Sequence, residues 1–159
     1  MNRLTLTTLR ALIAVLVAGA ALAQLVFIPW IAYATAQDFP EVDYLAIPYA
    51  VLAIATIGCA EAILVATWRL AGMVAREQIF DERAVPLVTL MVRSAGLATV
   101  LVGAVAVHAI VVEGLGPITV PLTLLGGTVA AGASTVILVV LRGLLRAAVQ
   151  HKAELDEVV

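Results

Sequence analysis

Four apolar runs, Ala11–Gln37, Tyr44–Trp68, Val85–Val112 and Gly114–Leu141, leave this chain little choice of environment. A run longer than about 18 apolar residues crosses the roughly 30 Å hydrocarbon core as a helix, which satisfies its backbone N–H and C=O groups within one segment. The first and fourth runs contain no Asp, Glu, Lys or Arg, and 64% of the 159 residues are hydrophobic, which excludes a soluble globular domain. The fold class is therefore all-α: a four-transmembrane-helix bundle in a single membrane domain. Its spans are expected at about residues 9–33, 45–68, 87–112 and 118–141, with a helical tail over 142–159. No stretch outside the spans is long enough to fold alone.

Charge sets the orientation. Arg3 and Arg10 precede the first span, and Arg69, Arg76 and Arg83 follow the second. Arg93 lies near the start of the third, and Arg142, Arg146 and Lys152 follow the fourth. The two remaining connections carry only acids, Asp38, Glu41 and Asp43 in one and Glu113 in the other. All nine Lys and Arg residues thus fall on one side. By the positive-inside rule both termini are cytoplasmic and the tail is a cytosolic extension. At the N-terminus, Ala21-Leu22-Ala23 imitates a signal-peptide cleavage site. The apolar run continues beyond it to Ala36, past the usual 7–15 residues of a signal h-region, so an uncleaved first helix is expected.

Aromatic residues mark the boundaries: Trp30, Tyr33, Tyr44 and Tyr49 near the acidic connection, and Trp68 at the other end of the second span. Pro29 is expected to loosen the first helix near its outer end. In the inner connection, Asp81 reads as an N-cap for the third helix and Phe80 as a hydrophobic staple onto Val85, with Pro86 a poorly tolerated early residue. Small residues four apart recur in all four spans, as Ala14 and Ala18, Gly58 and Ala62, Ser94 and Ala98, and Gly127 and Ala131. They predict close helix packing, with Thr128, Gly132 and Thr135 extending a small polar face on the fourth helix.

Glu61 is the polar residue that most needs an explanation. It sits seven residues from Trp68, about 10 Å inside the boundary at 1.5 Å per residue. A carboxylate there must pair, face water or hold a proton. Three readings stay open: an intramembrane polar pair with Arg93, a solvated or protonated side chain without a role, or a coupling-ion or substrate site. His108, four residues before the outer end of its helix, is expected to bond backbone or water. Cys59 is expected to be a small core side chain. The sequence contains no HExxH, no Ser/His/Asp grouping and no glycine-rich phosphate loop, so catalysis, metal and cofactor are not expected. No basic patch exceeds three cations, so direct nucleic-acid binding is not expected either.

The segment Gln78-Ile79-Phe80-Asp81-Glu82-Arg83 and the tail, Leu141-Arg142-Gly143-Leu144-Leu145-Arg146 with Glu154-Leu155-Asp156-Glu157-Val158, resemble a family of small four-helix bacterial membrane proteins. The family is known as domain of unknown function 2975, and the tail is most similar to actinobacterial members. The resemblance implies a multi-pass protein of a bacterial cytoplasmic membrane with no assigned activity. It also implies a neighbour: such proteins are often encoded beside small helix-turn-helix repressors. The function expected is a non-enzymatic regulatory or sensory membrane protein, embedded in the lipid bilayer, that contacts a cytosolic protein. Phe80, Asp81, Arg146 and Lys152 are the candidate contact residues. Two rivals stand beside it: a small oligomeric transporter or channel using Glu61, and an immunity or stress-protection protein.

Overall fold

Leu and Ala, strong helix formers, fill the apolar runs together with Val and Ile. In the computed structural model, which describes residues 3–75, 83–112, 114 and 119–156, the described residues of each run are helical apart from Gly114. Helix α1 (Arg3–Leu22) passes through a π-helical turn, Ala23–Phe27, into α2 (Ile28–Asp38). A 3-10 turn at Pro40–Val42 leads to α3 (Asp43–Ala75). Helix α4 (Ala84–Val107) ends in a second π-helical turn, His108–Val112, and α5 (Thr119–Asp156) closes the described chain. Among the described residues, four helical stretches are long and apolar enough to cross a membrane: Leu4–Asp38, Pro40–Ala75, Ala84–Val112 and Pro121–His151.

Proline accounts for the departure from regularity in the first span. Pro29 has no N–H to give the carbonyl of Leu25, and its ring crowds that carbonyl. The chain opens one turn earlier: Ile28 N–H donates to the carbonyl of Ala23, five residues back, in the π-helical turn. The loosening expected at Pro29 is thus displaced toward the middle of the span. At α4, helical backbone begins at Ala84, and Arg83 occupies the cap position without a side-chain cap hydrogen bond. Pro86 consequently falls in the first turn, where its missing N–H has no intrahelical acceptor to lose, so it is tolerated well rather than poorly. Phe80 and Asp81, the expected staple and cap, lie outside the described residues. Gly114 adopts φ 58°, the left-handed conformation that glycine enters without steric cost.

The helices pack in series. The first span lies on α3, α3 on α4, and α4 on α5, while among the described residues the first span and α5 share no comparable contact. The four expected spans are thus arranged as an open antiparallel row. Its tightest seam is α4–α5. A Cβ built on Gly96, Gly103, Gly127 or Gly132 meets Thr135, Thr128, Val102 or Thr99 across the seam at 3.7–3.9 Å. The hydroxyls of Thr99 and Thr135 lie 3.0 Å apart, and each is 2.9 Å from the carbonyl four residues back. One hydroxyl therefore donates across the seam while the other donates along its own helix. Ser94 and Cys59 are buried as small core side chains. The small stripe of the first helix is not used this way: Ala14, Ala18 and Gly19 are exposed.

Candidate functional site at the basic end

Antiparallel packing brings the arginines of different helices to one end of the row. Arg10 of α1 stacks over the Trp68 ring of α3 at 5.7 Å from the centroid, a cation–π contact. Gly72, one turn beyond Trp68, makes room for it, since a Cβ there would stand 3.0 Å from an Arg10 terminal nitrogen. The Nε of Arg10 is buried without a hydrogen-bond partner, so the indole face is its main compensation. Trp68, read from sequence as a boundary marker, also holds the first span against the second.

Glu61 lies two helical turns before Trp68 and so shares the α3 face that meets α1. Its side chain is half-buried. Arg93 is elsewhere: it is exposed on α4 and lines an open groove together with Arg142 and Arg146 of α5. Among the described residues no ion pair within 4.0 Å joins Glu61 to Arg93. The periodicity accounts for the separation, because the face of α3 that meets α4 carries Tyr49, Leu52 and Thr56, not Glu61.

The groove beside Arg93 encloses about 670 Å³ between the first turns of α4 and the far part of α5. Thr89 and Gln150 add polar groups, Val85 and Val149 apolar ones, and no acid lines it among the described residues. The Thr89 hydroxyl donates to the carbonyl of Val85 at 2.9 Å, leaving the donors of the groove to the guanidinium groups and the Gln150 amide. The Nε of Arg142 is buried without a hydrogen-bond partner. The groove is level with Trp68, because Trp68 lies as far along α3 from Tyr49 as Thr89 lies back along α4 from His108. Tyr49 and His108 themselves meet side by side.

At the acidic end, the Tyr49 hydroxyl and His108 Nδ1 lie 2.9 Å apart, with the rings edge to face. The partner expected for His108 was backbone or water; the structure supplies a side chain from the neighbouring helix. Sequence reasoning also missed Gln24, whose Nε2 is buried without a hydrogen-bond partner in the π-helical turn of the first span. Its signal was available, as an amide in the middle of an otherwise apolar run. A cleft of about 400 Å³ between α2 and α3 is mostly apolar, lined by residues such as Ile28, Ile31 and Ala53, with Thr35 and Tyr49 its polar residues among those described. Of the four candidate contact residues, Arg146 is exposed on α5. Phe80, Asp81 and the Lys152 side chain lie outside the described residues. Among the described residues no group of three His, Cys, Asp or Glu is placed to hold a metal ion.

A family model described as a protein of unknown function (DUF2975) matches residues 30–159, from Trp30 near the acidic end to the end of the chain. No curated protein and no solved structure matches.

Proposed function

The chain belongs to the DUF2975 family, and from that premise we propose that it is a non-enzymatic, multi-pass membrane protein that binds a partner protein at its cytoplasmic face. The observation that carries the reading is the length of α5. Its 38 residues extend about 57 Å at 1.5 Å per residue, against a hydrocarbon core of about 30 Å. The surplus lies at the Asp156 end, so the basic end of α5, with Arg142 and Arg146 beside the first turns of α4, forms an arm reaching past the hydrocarbon core on the side that the positive-inside rule assigns to the cytoplasm. The connection holding Phe80 and Asp81 leaves the same end of the row. Both termini are then cytoplasmic, and the membrane is the bacterial cell membrane.

The partner best suited to such an arm is a small helix-turn-helix regulator encoded beside the gene, which membrane tethering would withhold from DNA. The test is co-expression of the two proteins and recovery of the regulator with the detergent-solubilised chain. Phe80→Ala and deletion from His151 onward should each reduce recovery while membrane insertion is unchanged. Equal recovery by wild type and both variants would remove the reading.

One observation favours a second reading: Glu61 has no ion-pair or hydrogen-bond partner among the described residues. In a small oligomeric transporter such an acid would exchange a proton for a cationic substrate. Reconstituted protein would then move a lipophilic cation along an imposed pH gradient, and Glu61→Gln would abolish the flux. The outcome expected is no flux, since the face around Glu61 offers one acid and no aromatic cage except Trp68, which Arg10 already occupies.

A further inference from the structure

We propose that Arg93, Arg142 and Arg146 form a binding site for the phosphate-bearing headgroup of an anionic membrane lipid. Three guanidinium groups line one groove of about 670 Å³ without an acid among its described lining residues. Three like charges brought together repel unless an anion joins them. The acids of the α5 end, Glu154 and Asp156, come two turns or more after Arg146 in the sequence. No ion pair engages any of the three arginines among the described residues. The buried Nε–H of Arg142 is a donor without an acceptor, and a phosphate oxygen is the acceptor a guanidinium fork fits best.

Depth selects a lipid over a soluble anion. The groove is level with Trp68, where the headgroup layer meets the hydrocarbon. Arg93 lies a further turn inward on α4, about 6 Å along the axis, and is exposed. A long cation in that position runs its stem along apolar surface and turns its head back toward the interface, which is where Arg142 and Arg146 stand. Basic pockets between helices on the cytoplasmic side capture anionic headgroups in this manner. Leu90, exposed on the groove wall and one residue inward of Thr89, offers the apolar surface that an acyl chain follows away from the phosphate. The site is independent of the partner-binding reading, since it is tested on the purified chain alone.

The test uses the full chain in a zwitterionic detergent, with native mass spectrometry counting bound lipid during titration by phosphatidylglycerol, phosphatidylcholine and diacylglycerol. Wild type should retain phosphatidylglycerol in preference to the other two. Arg142→Gln and Arg93→Gln should each weaken it about fivefold, the affinity equivalent of one interfacial cation. Arg142→Lys should fall between, because a point charge replaces the fork. Arg69→Gln, which removes a cation from the same end but outside the groove, should change nothing. Each variant is compared with wild type in thermal unfolding, so a loss of lipid by a folded variant is read as loss of the site. Equal retention of phosphatidylglycerol by wild type and Arg142→Gln overturns the proposal. Displacement of the lipid by millimolar inorganic phosphate also overturns it, by assigning the groove to a soluble anion.

Discussion

The hydroxyl of Tyr49 and Nδ1 of His108 lie 2.9 Å apart, half-buried between two helices. Side-chain hydrogen bonds inside membrane proteins contribute modestly, about 0.6 kcal/mol on average and up to about 1.7. Tyr49→Phe should therefore destabilise the folded chain by about 1 kcal/mol in reversible unfolding from detergent. The effect should largely vanish when His108 is already Ala, because the bond is then absent. Additive losses in that double-mutant cycle would show that the two rings are merely neighbours. The pair was only half legible in the sequence. Both residues were recognisable as boundary groups, but which helix faces meet depends on the register between spans, and no single run encodes it. The same reason separates Glu61 from Arg93. Depth along the helix axis, readable from residue counts, placed them near each other, while the angular position of Glu61 on the Trp68 face turned it toward α1.

At the scale of elements, the α4–α5 seam is held by shape more than by polar bonds. Its glycines let Thr99, Thr128 and Thr135 close in on the facing helix, and one hydroxyl of the Thr99–Thr135 pair keeps its own carbonyl as an acceptor. Thr99→Val should cost only about 0.6 kcal/mol, since a methyl fills the same volume and only one interhelical bond is lost. Gly132→Leu should cost more, because a Cβ already stands 3.8 Å from Thr99 and the rest of a leucine has no room without parting the helices. Unfolding measurements that rank the two variants in the opposite order would assign the seam to its hydroxyls. This face of α5 was visible beforehand in Gly127, Thr128, Gly132 and Thr135. The π-helical turn at Ala23–Phe27 was not, because Pro29 announces a broken hydrogen bond without saying which neighbouring turn will absorb it.

The whole molecule is a row of antiparallel spans, so its orientation is one binary choice that every span shares. Apolar length and composition determined the number of spans directly. Helix α3 overran its expected end at Trp68 and reached Ala75, because a helix continues through its own backbone bonds wherever residues such as Leu, Ala and Arg allow it. The row stays open because closure requires complementary faces on the first span and α5. Their outward residues, such as Leu16 and Val15 on one and Val129 and Val136 on the other, are large and apolar, suited to lipid. Charge then decides the sense of insertion. Arg10, Arg69, Arg83, Arg142 and Arg146 gather at one end and Asp38, Glu41 and Asp43 at the other, which predicts a cytoplasmic basic end. Cysteines introduced at the exposed positions Asp38 and Ala147 report this directly once Cys59, buried and the one native thiol, is replaced by Ala. An impermeant maleimide added to intact cells should label Asp38→Cys. It should reach Ala147→Cys only after the membrane is permeabilised. The reverse pattern would invert the molecule, moving the α5 arm and the arginine groove to the outer face and removing the cytoplasmic partner along with them.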